Sequence, residues 1–150
     1  MQIVKDKKIT EDNFEYLEDD SAIRNGDIII SFSRWNRSIN HLSSHQGRLG
    51  LRIIPTDSLL ELDCNLEGIA LIELFFPEFA DGQLFSHAWL LRQRYQYQGE
   101  LRASGQFIPD QAFYLSRVGI NAFAPEKAEH LPIILNYLND FSVTYQQSVN

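Results

Sequence analysis

The chain has 150 residues, a formal net charge of −7 and a hydrophobic share of 44%, which together predict one folded domain rather than two. The negative charge disfavours binding to nucleic acid or to an anionic membrane surface, because both require a net basic face. The single cysteine, Cys64, excludes a disulfide within the chain and any zinc or iron–sulfur site built from several cysteines.

Neither a secretory signal nor a membrane span is predicted. The chain carries charges from Lys5 to Lys8 and then an acidic stretch at 11–20, without the apolar core that a signal peptide needs. The apolar run 69–72 is ended by Glu73, far short of the roughly 20 residues that cross a bilayer. We therefore expect a soluble cytoplasmic protein that binds neither membrane nor nucleic acid.

The first predicted elements are a hairpin and a strand–helix unit. Residues 3–16 combine β-prone residues with a run of acids, which indicates a short strand or hairpin with an exposed loop. Residues 28–32 are three isoleucines followed by serine and phenylalanine, a run typical of a strand covered on both faces. Ser33 is the candidate cap of the following helix, which is predicted to end near Gly47.

The rest of the chain repeats this alternation. Residues 50–54 predict a strand, and a short helix is predicted after Asp57. Residues 69–76 predict the next strand, which Pro77 ends. The remaining predicted elements are strands at 100–104 and 120–124 and helices at 85–97, 110–118 and 126–138.

Strands separated by helices of about ten residues predict right-handed crossovers and a mainly parallel five-stranded sheet in one α/β domain. Two closures fit the pattern: a TIM-like half-barrel with helices on its outer side, and an open flavodoxin-like sheet with helices on both faces. Charged residues inside the strands favour the half-barrel, because a concave face tolerates them better than a fully covered sheet. The domain divides into an N-terminal region 1–26, a βα core 27–140 and a C-terminal tail 141–150.

Three charged residues inside predicted strands are the strongest candidates for a site. Arg52 and Arg102 each stand among apolar neighbours, and Glu73 lies in the strand between them in sequence. A guanidinium group is costly to bury unless it meets a carboxylate or a bound anion. The trio therefore predicts either an internal ion network, which is the favoured alternative, or an oxyanion pocket.

Two loops supply further candidates for ligand binding. In parallel α/β folds, ligands bind beyond the carboxyl ends of the strands, where the loops 76–83 and 105–111 are predicted to lie. In these loops Asp81 could hydrogen-bond a substrate, and Asp110 could act as an acid or base. A helix-capping role is favoured for both.

Motifs for metals and cofactors are missing from the sequence. His41 and His45 are four residues apart, but no third ligand follows at a suitable spacing, so no metal site is predicted. His87 and His130 are interpreted as surface or helix residues. The sequence has no GxGxxG after a strand, no phosphate loop and no GxSxG, and the cofactor stays unknown.

Several segments carry a family resemblance: residues 76–82, 90–95, 99–105 and 110–111, with shorter matches from Ser33 to Gln146. Through them the chain resembles the bacterial domain-of-unknown-function family DUF934. Arg52, Arg92, Arg94 and Arg102 match that family's pattern, whereas Glu78, Ala80 and residues 83–85 depart from it. Members are commonly described as "probable oxidoreductases involved in sulfite reduction", because they accompany assimilatory sulfite reductase in bacterial genomes.

The resemblance implies an accessory protein or oxidoreductase of assimilatory sulfite reduction, with sulfite reductase as its partner. Two alternatives stay open. One is a small-oxyanion-binding enzyme or carrier that uses Arg52 and Arg102, and the other is a flavin or nicotinamide oxidoreductase with an unrecognised cofactor site. Pairing of two half-barrels would complete an eight-stranded barrel, which makes a homodimer a further expectation.

Overall fold

The computed structural model describes residues 1–59, 66–78 and 82–149, with the backbone alone for residues 40, 41 and 140–149. Within these ranges the chain forms eight strands and four α-helices. The strands are β1 (Gln2–Lys5), β2 (Lys8–Glu11), β3 (Glu15–Tyr16), β4 (Ile28–Ser31), β5 (Leu49–Ile53), β6 (Ile69–Phe76), β7 (Glu100–Gly105) and β8 (Ala122–Pro125). The helices are α1 (Phe32–Ser38), α2 (Gln83–Trp89), α3 (Ala112–Arg117) and α4 (His130–Val149).

All eight strands form one sheet in the order β2-β1-β8-β7-β6-β5-β4-β3. Strands β3 to β8 are parallel, and β1 is antiparallel to both of its neighbours. The five predicted strands correspond to β4–β8. The predicted number of strands was nevertheless too low, because the N-terminal hairpin and the two-residue strand β3 extend the sheet at its two edges.

Chain connectivity requires this sheet to curl. The edge strands β2 and β3 are joined by residues 12–14, so Glu11 and Glu15 are at most about 14 Å apart. In a flat sheet of eight strands the two edges would be about 34 Å apart. The sheet therefore has the half-barrel form, as predicted, rather than the open one.

Successive side chains along each strand point to opposite faces of the sheet. The convex face is apolar and packs on the helices, through residues such as Ile30, Ile53, Leu74 and Leu101 against Trp35, Leu84, Leu115 and Ile134. This packing stabilises the domain, because each fully buried aliphatic side chain contributes about 1.5–3 kcal/mol. The opposite, concave face presents Ile3, Lys5, Ile29, Ser31, Arg52, Glu73, Phe75, Glu100, Arg102 and Ser104.

The start of α1 differs from the prediction. Ser31, not Ser33, is its N-cap, and the Ser31 hydroxyl oxygen accepts a hydrogen bond from the Arg34 N–H at 3.1 Å. The hydroxyl of Ser31 also donates to Asp19. Because Ser31 ends β4, the strand passes into the helix without an intervening loop.

Two other helices also depart from the prediction. The helix after β6 begins at Gln83 and continues beyond Trp89 as a π-helical turn, Leu90–Arg94. The last helix runs from His130 to Val149, so residues 141–149, predicted as a tail, are helical. No helix in the described part of the chain is both long and apolar enough to cross a membrane.

Two predicted features fall on residues outside the described ranges. Residues 57–59 are not helical, and most of the short helix predicted after Asp57 would lie at 60–65. Cys64 lies in the same undescribed segment.

Candidate functional site

The sheet brings the three charged strand residues together. Arg52 on β5 is the register partner of Glu73 on β6, and Glu73 is the register partner of Arg102 on β7. All three project from the concave face, where they form one row across neighbouring strands. The sequence predicts that each of the three residues lies on a strand. The register of the parallel strands places them next to one another.

Arg52 pairs with Glu73. Its Nε lies 2.6 Å from Glu73 Oε2, and Glu73 is 5% exposed. The guanidinium group is held between the rings of Tyr16 and Phe75, at 3.7 and 4.4 Å from the ring centroids. Burial raises the pKa of Tyr16 even though the neighbouring Arg52 cation lowers it. The cation is therefore fixed by one carboxylate and two aromatic rings.

Arg102 pairs with other carboxylates although Glu73 is its register partner. Its two terminal nitrogens bind the Asp12 carboxylate at 2.8 and 3.0 Å, and its Nε binds Glu100 at 2.7 Å. Glu100 also pairs with Lys5 at 3.1 Å. Burial disfavours the Arg102 cation, which is only 2% exposed, but the hydrogen bonds and charges of Asp12 and Glu100 raise its pKa overall.

Residues 12–16 cover part of the concave face. Asp12 binds Arg102, and Tyr16 lies on the guanidinium group of Arg52. The ring centroid of Phe14 lies 4.7 Å from Cζ of Arg48 and 5.8 Å from Cζ of Arg102. Their spacing of two residues is that of an extended segment with one face turned inward. The sequence prediction of an exposed loop missed this role, and the alternation Asp12, Phe14, Tyr16 was the signal that could have shown it.

One further ion pair lies beside this row, at the amino ends of β4 and β5. Arg48, just before β5, binds Asp27, just before β4, with its Nη2 2.8 Å from Oδ2. Hydrogen bonds from Arg48 hold the pKa of Asp27 below its usual value. The pair is exposed, unlike those of Arg102.

Four cations on or beside the concave face are therefore each bonded to a carboxylate. The cations are Lys5, Arg48, Arg52 and Arg102, and the carboxylates are Asp12, Asp27, Glu73 and Glu100. The four positive and four negative charges of these pairs cancel. The geometry is that of an internal ion network, and an anion that bound Arg102 would have to displace a carboxylate from it.

Arg92 has a different environment. Its guanidinium group donates to the carbonyl oxygens of Tyr97, Gly99 and Gly119 at 2.8–3.0 Å. Burial lowers its pKa. These bonds tie the π-helical turn after α2 to the start of β7 and to the turn after α3, which makes Arg92 a structural residue. Arg94, the other family-matching arginine of this turn, is exposed.

The two loop aspartates do not join the row of charges. Asp81 lies outside the described residues. Asp110 is exposed in the 3₁₀ turn Pro109–Gln111 before α3. The predicted capping role of Asp110 is wrong, because Ile108 and Gln111 occupy the N-cap positions of the 3₁₀ turn and of α3. The Gln111 side chain accepts a hydrogen bond from the Ile108 N–H at 3.1 Å.

His87 lies on α2 and is buried, at 7% exposure, so of the two predicted alternatives it is a helix residue and not a surface residue. Its Nε2 lies 3.3 Å from the Pro55 carbonyl oxygen, and within the described residues its Nδ1 has no hydrogen-bond partner. His87 and Asp57 line a cleft of about 510 Å³, and burial raises the pKa of Asp57. No group of three or more potential metal ligands occurs in the ranges that the structure describes.

Comparison with known proteins gives one match. Residues 50–150 match the family model described as "Bacterial protein of unknown function (DUF934)". No curated protein and no solved structure matches the chain significantly. The matched region begins at β5 and includes Arg52, Glu73 and Arg102, whereas Asp12 and Tyr16 precede it. Since the match spans more than half of the sequence, the chain belongs to the DUF934 family.

Proposed function

We propose that this protein acts in the cytoplasm as an accessory protein of assimilatory sulfite reduction, in association with sulfite reductase. The association with this process comes from the family resemblance described above. The structural observation that favours an accessory role is the neutralised concave face. Its strand arginines, which were candidates for ligand binding, are bonded to carboxylates within the fold.

The remaining charge supports docking on a basic partner. Because the four cations and four carboxylates of this ion network cancel, the net charge of −7 is carried by the other charged residues of the chain. An excess of negative charge steers a protein toward a positively charged surface and makes the association rate fall as salt rises. We therefore expect the complex with sulfite reductase to weaken with increasing ionic strength.

The first test is binding to purified sulfite reductase from the same organism. We expect a complex in low salt by size-exclusion chromatography and a lower affinity at 0.5 M salt. Lack of a complex at low salt, with both proteins folded, would contradict the proposed partner. Affinity that does not change with salt would contradict the electrostatic mechanism of docking.

The second test is genetic. A strain lacking this protein should grow poorly on sulfate or sulfite and normally on sulfide, because sulfide lies beyond the reduction of sulfite. Restoration by the plasmid-borne wild-type chain is the control. Normal growth of the deletion strain on sulfate would count against any role in this process.

A small-oxyanion carrier is the second candidate, and one observation favours it. The Arg52 side chain keeps 21% exposure, and its Nη1 makes no hydrogen bond within the described part of the chain. A sulfite or sulfate ion could approach this nitrogen from the open side of the half-barrel. Calorimetric titration with sulfite, sulfate and phosphate tests this, and equal affinity in Arg52→Gln and wild type would exclude Arg52 as the ligand.

The oxidoreductase that the family description suggests would need a redox cofactor. An absorbance spectrum of the freshly purified protein tests for a bound flavin. Peaks near 370 and 450 nm are the expected signature of a flavin. A colourless protein would restrict an oxidoreductase function to a dissociable nicotinamide.

A further inference from the structure

A cleft lies where the neighbouring parallel strands β7 and β8 end. It is lined by residues 105–109 on one side and by Glu126, Lys127 and His130 on the other, and its volume is about 480 Å³. We call it the β7–β8 cleft. Its size falls within the range of pockets that hold small molecules, and the carboxyl ends of parallel strands are where α/β folds bind ligands.

The backbone of this cleft is held in place by the core. Gly105 turns the chain with φ +87°, a left-handed conformation that favours glycine. The next residue, Gln106, donates its N–H to the Phe76 carbonyl oxygen at 2.8 Å. Phe107 then packs between Phe76 and Phe123, at 6.0 and 5.9 Å between ring centroids. The wall is therefore formed before any ligand arrives, which lowers the entropic cost of binding.

The side chains around the opening combine apolar surface with charge. Ile108 is 37% exposed and lies beside Pro109, so the two present an apolar wall. Lys127 and His130 also line the cleft, and among the residues that the structure describes no ion pair or hydrogen bond is found for either side chain. His130 is also the first residue of the 20-residue helix α4, whose partial positive charge at this end adds to the attraction for an anion.

We propose that the β7–β8 cleft binds a small molecule that has a compact apolar body and one carboxylate group. The apolar body lies against Ile108 and Pro109, and the carboxylate is bound by Lys127 and His130. Glu126, on the same rim, opposes a second negative charge, which favours a monoanion over sulfate or phosphate. This site goes beyond the proposed accessory function and lies apart from the concave face.

The test is an NMR titration of the ¹⁵N-labelled full chain with benzoate and, separately, with neutral benzamide. We expect benzoate to shift the amide signals of residues 105–109 and 126–130 and to bind more tightly than benzamide. Lys127→Gln should weaken benzoate binding by about fivefold, the size of one exposed ionic contact. The same variant should leave benzamide binding unchanged.

Two further variants distinguish the contribution of charge to binding from that of apolar contact. Glu126→Gln should strengthen benzoate binding and leave benzamide binding unchanged, because it removes a repulsive charge. Ile108→Ala should weaken both compounds, because it removes apolar contact area from the wall. Lys8→Gln, on the exposed strand β2, is the control for a change in net charge far from the cleft.

Three results would overturn the proposal. One is the absence of shifts at residues 105–109 and 126–130 with 20 mM benzoate. A second is equal weakening of benzoate binding by Lys8→Gln and Lys127→Gln, which would mean that overall charge decides affinity. The third is tighter binding of inorganic sulfate than of benzoate at these residues, which would contradict the apolar body and the monoanion. All the substituted residues are exposed, and the dispersed amide spectrum of each variant shows that it is folded.

Discussion

The concave face and the β7–β8 cleft both contain charged residues, but they differ in how those charges are satisfied. On the concave face Arg102 is 2% exposed and is bonded to two carboxylates. At the cleft Lys127 is exposed, and no partner is described for it. The difference follows from desolvation, since a charge removed from water must find a partner inside the protein, whereas a charge at a strand end keeps its water.

This difference agrees with the interpretation that the sequence favoured, an internal ion network. Charges inside strands were also candidates for a ligand site because they are rare there, but a buried charge must be bonded inside the protein, which leaves less of it to bind a ligand. A residue that can bind a ligand needs a polar atom that the fold has left without a partner. Lys127 and His130 meet that condition, and Arg102 does not. The comparison predicts large stability effects on the concave face and small ones at the cleft.

The largest expected effect comes from Arg102→Ala. This change leaves Asp12 and Glu100 without their shared cation, with side chains only 11% and 9% exposed. Removal of one partner from a buried ion pair costs roughly 3–5 kcal/mol. The free energy of unfolding, measured by urea denaturation, should fall by that amount.

The control for this variant is Arg24→Ala, which removes the exposed pair between Arg24 and Glu15. We expect a loss below about 1 kcal/mol there. A loss of the same size in both variants would mean that the Arg102 network does not depend on burial, and the proposed distinction between the two regions would fail.

A smaller effect is expected for Glu73→Gln. The glutamine keeps the shape of the side chain but removes the negative charge beside Arg52. Because Arg52 is partly exposed, water can solvate part of its charge, and we expect a loss of about 1–2 kcal/mol in unfolding free energy. Glu78→Gln, at an exposed position, is the matched control and should change stability by less than about 0.5 kcal/mol.

The five central strands could be predicted because their signal is local. Runs such as residues 28–30 and 69–72 are apolar and rich in isoleucine, and each of these strands is followed by a helix, which is enough to predict the parallel sheet. The half-barrel was favoured over the open sheet only by the charged residues inside the strands. A strand or hairpin was predicted at residues 3–16, but its pairing with β8 at the edge of the sheet could not be predicted from local signals. Strand β3 has two residues, and its pairing with β4 depends on the curl of the whole sheet.

The partners of the charged residues were not predictable for a different reason. Arg102 is 90 residues from Asp12 in sequence, and its pairing depends on residues 12–16 crossing the concave face. The register places Arg102 beside Glu73, so even correct strands would suggest the wrong partner. The N-cap of α1 also depends on information that the local sequence lacks. Ser31 and Ser33 are equally good candidates until the end of β4 is known.

The next prediction concerns acid sensitivity at the edge of the concave face. Hydrogen bonds from Arg48 lower the pKa of Asp27 in the folded state. A carboxylate whose pKa is lower in the folded state than in the unfolded state stabilises the fold at pH values above its unfolded pKa of about 3.9. That contribution is lost as the pH falls through the pKa of the folded state. The melting temperature of the wild type should therefore exceed that of Asp27→Asn at pH 6, and the gap should shrink below about pH 4.

Asp110→Asn is the matched control for this experiment, because Asp110 is also exposed and no ion pair is described for it. Its difference from the wild type should stay constant over the same pH range. A constant gap for Asp27→Asn as well would mean that the Arg48 pair does not persist in solution.

The smallest expected effect is that of Lys127→Gln on stability. Lys127 is exposed and has no described partner, so its loss should change the unfolding free energy by less than about 0.5 kcal/mol. The same substitution is expected to weaken benzoate binding. A residue that contributes to ligand affinity and not to stability is the opposite of Arg102, whose removal should destabilise the fold. If Lys127→Gln destabilised the protein as strongly as Glu73→Gln, Lys127 would have a partner within the fold and its charge would not be available to a ligand.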